Sequence, residues 1–143
     1  MRPRLISLFA CFFALYATST NAEVVVCTAT KGFHCGTKTM ACNPDTTYTT
    51  TYRIDRAKRT IEQVSYQKAG ESNVEPDGTV YQIVSEEAES IVTGEKSIMA
   101  VGMVGLAALD TLVIGTNSYL TSSASRTEPR AFVQMGTCKG LRP

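Results

Sequence analysis

From Tyr48 to Asp55 the chain alternates strictly: Tyr48, Thr50, Tyr52 and Ile54 share one parity, while Thr49, Thr51, Arg53 and Asp55 share the other. Successive side chains of a strand point to opposite faces, so this period of two predicts a strand with one buried face. The charged stretch Asp55 to Arg59 reads as a turn, and Thr60 to Tyr66 resumes the strand pattern. Residues 47 to 66 are therefore expected to form an antiparallel hairpin.

The rest of the chain is built from similar pieces. Val24 to Lys31 is a short apolar strand candidate, and Cys35 to Asp45 reads as a stapled loop ending in the turn residues Asn43, Pro44 and Asp45. A polar link with Gly70, Asn73, Pro76 and Gly78 follows, then strand candidates at Thr79 to Ser85 and Ala88 to Thr93. Ile98 to Gly115 is ambiguous, because Asp110 is its one charged residue and Gly102 and Gly105 are spaced for close packing. Two buried strands joined near Gly105 to Leu109 are preferred over a buried helix or a membrane helix. Asp110 near a bilayer centre would cost ~2.5 to 3.5 kcal/mol, and Val and Ile with glycine interruptions suit buried strands. Gly115 to Ser118 reads as a turn into a strand at Tyr119 to Ser123, and Arg130 to Cys138 as a last strand.

Short strands at regular spacing, rich in Thr, Val, Ile and Tyr, predict an all-β fold. A single antiparallel meander is expected, closed as a small disulfide-tied barrel in preference to a sandwich.

The first residues lie outside this pattern. Arg2 and Arg4 precede the apolar run Leu5 to Ala17, and small or polar residues follow, with Thr20 and Ala22 at the minus-three and minus-one places of an A-x-A-like cleavage site. A charged start, an apolar middle and a small-residue exit are the marks of a cleavable secretory signal peptide. Residues 1–22 are assigned to that signal and 23–143 to a single β domain. The run is short for a membrane span, which needs roughly 17 to 25 apolar residues. No stable membrane anchor is expected, and Cys27 lies too far past Ala22 for lipid attachment.

Removing the signal changes both charge and cysteine arithmetic. The whole chain carries 14 Lys and Arg against 13 Asp and Glu; without Arg2 and Arg4 the balance is 12 against 13, a net charge of minus one. Nucleic acid, which calls for a basic face, is not an expected partner. Of the five cysteines Cys11 leaves with the signal, and Cys27, Cys35, Cys42 and Cys138 remain as an even set. In an oxidising compartment these predict two disulfides with three possible pairings. The short spacing favours Cys35 with Cys42, which leaves Cys27 to join Cys138 and tie the ends of the domain. A periplasmic or secreted location is expected on the same grounds.

Candidate chemistry is sparse. His34, the single histidine, sits beside Cys35, but the cysteine spacings lack the close pairs of structural zinc sites, so no metal or other cofactor is expected. There is no G-x-S-x-G elbow and no phosphate-binding glycine loop. Glu86, Glu87 and Glu89 lie side by side, as on a solvated face, whereas a glycosidase pair must converge across a cleft. No catalytic residue is assigned, and the protein is expected not to be an enzyme. Two binding readings remain. Ser122, Ser125, Arg126 and Arg130 place hydroxyls and cations near one loop that could engage an envelope or extracellular protein. Alternatively Tyr48, Tyr52, Tyr66, Tyr81 and Tyr119 could line a ligand cavity in a small barrel, although core packing is the commoner use of such residues.

The segment Tyr52, Arg53, Ile54, Asp55, Arg56 with Thr60 and Ile61, together with the closing Gly136, Thr137, Cys138, resembles small exported proteobacterial β-barrel proteins of unknown function. The loop Ser122 to Arg130 is faintly similar to the Ser- and Arg/Lys-bearing loop of periplasmic C-type lysozyme inhibitors, themselves small disulfide-tied β-barrels. The resemblance implies an inhibitor-like, protein-binding role for that loop. Such a module is the first functional expectation, and a small-ligand carrier with a tyrosine-lined cavity is the alternative.

Intact mass of the exported protein tests both ends of this reading. A chain starting at Glu23 that gains the mass of four hydrogens on reduction is expected. A different start, or four free thiols before reduction, contradicts it.

Overall fold

The structure, a computed structural model, describes residues 22–36, 41–89, 95–104, 108–125 and 130–142. Ten strands form one sheet: β1 (Glu23–Gly36), β2 (Ala41–Pro44), β3 (Tyr48–Asp55), β4 (Thr60–Lys68), β5 (Val74–Pro76), β6 (Val80–Glu89), β7 (Lys96–Val104), β8 (Ala108–Gly115), β9 (Tyr119–Ser125) and β10 (Arg130–Lys139). Eight of them close an antiparallel barrel in which each strand follows its sequence neighbour: β1, β3, β4, β6, β7, β8, β9 and β10. β2 pairs back on the far end of β1, and β5 continues the wall beside the upper half of β4.

Closure joins the first strand to the last. β1 pairs with β10 from Val26↔Lys139 to Gly36↔Arg130, with a bulge between Ala29 and Lys31 that lets the long strand bend around the barrel. At this seam a side chain on Gly136 would collide with the Thr28 carbonyl, so the backbones can meet only because that residue is glycine. Cys27 and Cys138 stand opposite each other in the seam and are disulfide-bonded, and Cys35 and Cys42 are bonded across the β1–β2 pair. Both bridges have the favoured pairing. They are consistent with an oxidising, exported location.

The alternation in β3 holds: Thr50, Tyr52 and Ile54 are buried while Arg53 is exposed. The described parts of Ile98 to Gly115 lie in β7 and β8, the two-strand reading, with residues 105–107 of the expected junction outside the described set, and no helix occurs among the described residues. Other expectations need correction. The stapled loop at Cys35 is the end of a strand that continues to Gly36, because β2 supplies it with a paired neighbour. The separate strands expected at Thr79 to Ser85 and Ala88 to Thr93 are one strand as far as Glu89. Two irregularities in its pairing with β7 break the alternation that would mark it as continuous; residues 90–94 lie outside the described set.

The barrel has two unlike ends. The end bearing the β3–β4 and β8–β9 turns is filled by Val25, Ile54, Ile61, Ile83, Ile98, Leu112 and Ile114, all buried. Arg56 lies across it, pairing with Glu23 and Glu86 and donating to the Arg142 carbonyl, while the Arg142 N–H donates to Glu23. Glu86 also meets Arg59, and Glu87 approaches Lys96 at 4.0 Å. These carboxylates belong to surface ion pairs at the closed end. Toward the opposite end the inward positions become polar.

The outer surface is also divided. Between Ser97 and Thr137 the outward positions of β7 to β10, among them Met99, Met103, Leu109, Val113, Leu120 and Met135, carry no charge among the described side chains, with Lys96 and Lys139 exposed at the strand ends, and neighbouring strands place Leu120 directly between Val113 and Met135. The opposite wall carries Arg53 paired with Glu62.

The two disulfides close loops of very different length, with sequence separations of 111 and 7. Loop-closure entropy assigns ~4.7 kcal/mol to a loop of about a hundred residues and roughly half that to the short one. Replacing Cys27 and Cys138 by Ala is therefore expected to lower stability by about 2 kcal/mol more than the same change at Cys35 and Cys42. Urea denaturation of the two double variants measures the difference; equal losses would place the stabilising effect elsewhere.

Candidate functional site: a tyrosine-lined cup

Inward alternation places one ring of side chains per level, and above the isoleucines the ring changes character. Tyr52 of β3, Tyr81 of β6 and Tyr119 of β9 form a buried floor. Tyr52 and Tyr119 share a hydrogen bond between hydroxyls at 3.0 Å, and the Tyr52 ring meets Tyr81 edge-on at 6.3 Å between centroids. Tyr48 and Tyr66 stand higher, packed edge-on at 5.9 Å. A bulge in the β3–β4 pairing sets Tyr52 opposite Gln63 and Thr51 opposite Ser65, and the extra residue, Val64, allows both Gln63 and Tyr66 to face inward.

Gly102 fixes the position of Tyr81. The two residues are opposite one another across β6 and β7, and a methyl group on Gly102 would lie 2.8 Å from the Tyr81 ring. The ring therefore covers the bare glycine backbone, the aromatic pairing that compensates glycine in a sheet.

Above the floor is a cavity of ≈ 290 Å³, open at the upper end of the barrel. All five tyrosines weighed in the sequence line it, with Thr50, Gln63, Asp110, Thr121, Ser123, Phe132 and Gln134. Gln134 is 2% exposed and donates to the Thr46 carbonyl at 3.0 Å, so its amide is held in place. Among the described residues the lining contains no Lys, Arg or His.

Asp110 is the singular group. It is 8% exposed, yet its Oδ1 has no hydrogen-bond partner among the described residues. Oδ2 accepts from the Tyr81 hydroxyl at 3.5 Å, and that hydroxyl also lies 3.2 Å from Gln63 Oε1. Gln63 in turn donates from Nε2 to Asp77 at 3.3 Å. Burial pushes the Asp110 carboxyl above its ordinary range, against hydrogen bonds from Ser123 and Tyr81, and the Asp77 charge pushes the same way. Asp77 is held below the usual range: burial opposes this, but the Thr79 and Gly78 N–H groups donate to it. Burial raises the Tyr52, Tyr81 and Tyr119 hydroxyls above the ordinary phenol value, so all three are protonated at neutral pH.

No family model, curated protein or solved structure matches the chain. The site is legible only through its own chemistry.

The residues singled out in the last loop fare unevenly. Ser122 pairs with Thr111 and Val133 and has outward parity, while its neighbours Thr121 and Ser123 line the cup. Ser125 ends β9 at the upper rim, Arg130 opens β10 there, and Arg126 lies outside the described residues. His34 lies opposite Phe132 on β1, more than a third exposed, with Nδ1 3.8 Å from Asp45 Oδ2; it is not part of the cup lining. No cluster of three potential metal ligands occurs among the described residues.

Asp110 carries a signed pH dependence. Its folded value is raised, so the native state keeps a proton that the unfolded chain has already released. The associated stability is complete below the ordinary carboxylate range and is lost as pH rises through the folded value. Asp110→Asn carries no charge and escapes that loss. It is expected to be more stable than the parent at neutral pH, with the gain shrinking toward about pH 3. Chemical denaturation across that range checks it, and a variant less stable at every pH would contradict the assignment.

Proposed function

We propose that this protein is an exported small-ligand binding protein, acting in the periplasm or beyond, with the open cup as its site. One observation carries the reading: the upper half of the barrel is lined by five tyrosines and a partly unsatisfied carboxylate around ≈ 290 Å³ of open space. A barrel that needed only stability would continue the isoleucine packing of its lower half. Eight-stranded barrels have interiors just wide enough to be filled by side chains or to hold one small ligand. Ligand sites typically occupy roughly 300 to 1,000 Å³, so the occupant is small. Rigid rings supply contact area, and Gln63, Thr121, Ser123 and Gln134 supply orienting polar groups.

The expectation of a protein-binding or inhibitor-like module has a different support, the uncharged stretch of outer face on β7 to β10 between Lys96 and Lys139 at the strand ends. Its partner would be an envelope or extracellular protein with a matching apolar surface. The two readings concern opposite faces of the same strands and separate cleanly.

A cup-filling variant, Ser123→Trp, tests the first. Nuclear magnetic resonance screening of the parent against a library of small polar and aromatic compounds is expected to shift the ring signals of Tyr52, Tyr81 and Tyr119, and the folded variant is expected to lose those shifts. If no compound moves these signals in the parent, or if Ser123→Trp binds as the parent does, the cup is not the site.

A further inference from the structure

The charge inside the cup specifies the kind of occupant as well as its size, on the premise that the cup is a small-ligand site. A carboxylate removed from water calls for a compensating partner, because an isolated buried charge is costly and a hydrogen bond left unmade costs ~1 to 3 kcal/mol. Among the described residues Asp110 meets the neutral hydroxyls of Tyr81 and Ser123, and its Oδ1 has no partner. Asp77, which accepts from Gln63 beside the Tyr81 hydroxyl, adds a second negative charge near Asp110. No cation among the described lining residues offsets either. An anionic ligand would meet uncompensated repulsion here. A cation would gain a charge-assisted hydrogen bond to Oδ1, the stronger class of such bonds. The walls favour the same sign, since aromatic faces attract ammonium and guanidinium groups, more strongly where water is excluded.

We propose that the cup binds a small organic cation, an ammonium or amidinium whose N–H donates to Asp110 Oδ1 while its charge and carbon skeleton rest against the rings of Tyr52, Tyr81 and Tyr119. The hydroxyl pair of Tyr52 and Tyr119 closes the floor and limits the length of the occupant. Gln63 and Ser123 stand around the carboxylate as neutral groups for any further polar atom the ligand carries.

The test uses three probes of one shape: benzylammonium, benzyl alcohol and benzoate, titrated against the mature protein at neutral pH with the tyrosine ring signals as readout. Benzylammonium is expected to bind about tenfold or more tightly than benzyl alcohol, and benzoate not to move the signals. Asp110→Asn is expected to abolish the preference, whereas Tyr81→Phe, which keeps the ring and loses one hydroxyl, retains it. Should Asp110→Asn fail to fold, the parent itself is titrated at falling pH. Affinity for benzylammonium then declines as Asp110 takes up a proton, with Asp77, Tyr52, Tyr81 and Tyr119 the other titratable groups around it, and affinity for benzyl alcohol stays level. Equal binding of ammonium and alcohol, tighter binding of benzoate, or a preference that survives Asp110→Asn overturns the cation assignment and leaves a cup that binds small molecules. No shift with any of the three probes, together with none in the library screen, overturns the small-ligand reading as well.

Discussion

The meeting of β1 with β10 is the constraint on which the rest of the structure depends. Their pairing removes both sheet edges of an otherwise open meander, and closure of this kind is what gives the strands a shared interior. It requires Gly136, whose missing side chain lets the two backbones approach, and the bulge between Ala29 and Lys31, which bends β1 across the seam. The Cys27–Cys138 bridge then locks the pair at the apolar end, where Cys27 is fully buried. Without closure the tyrosines of β3, β6 and β9 would not converge, since none of these strands pairs with another of the three.

Convergence has a different result at each level of the barrel. Isoleucine and leucine fill the lower interior with well-packed apolar volume. The tyrosine level changes this, because a phenol needs a partner for its hydroxyl and cannot pack as an aliphatic chain does. Tyr52 and Tyr119 satisfy one another, and Tyr81 turns to Gln63 and Asp110. The floor is thus rigid and polar on its upper side. Asp110 occupies a parity that continues into Leu112 and Ile114, so the same strand that builds the core also carries a carboxylate into the cup. This local departure from apolar packing is where a binding site is expected, since native sequences conflict with simple stability at functional positions.

Much of the architecture was legible because one-sided burial writes a period of two into the chain, as it does from Tyr48 to Asp55. The disulfide pairing was legible through spacing and the even cysteine set that remains when Cys11 is assigned to the expected signal. What escaped were irregularities that carry no periodic mark: the bulges in β1 and β4, and the broken pairing of β6 that makes one strand look like two. The tyrosines could be read as a set, yet filling a core and lining a cavity demand the same residue type at the same parity, and only the space between the rings separates them. Ser122 and Ser123 are indistinguishable in the sequence, because nothing in a run of hydroxyls fixes which parity faces in. Asp110 stands out there only as an obstacle to a membrane helix. Its signal is present all the same: a single charge on the inward parity of an otherwise apolar strand.

A crystal structure of the protein with benzylammonium bound is the decisive measurement. The ring is predicted to lie within the tyrosine cup, with the ammonium nitrogen at hydrogen-bond distance from Asp110 Oδ1. A ligand seated elsewhere, or a cup filled by the protein's own side chains with Oδ1 bonded to one of them, would contradict both the site and its charge preference.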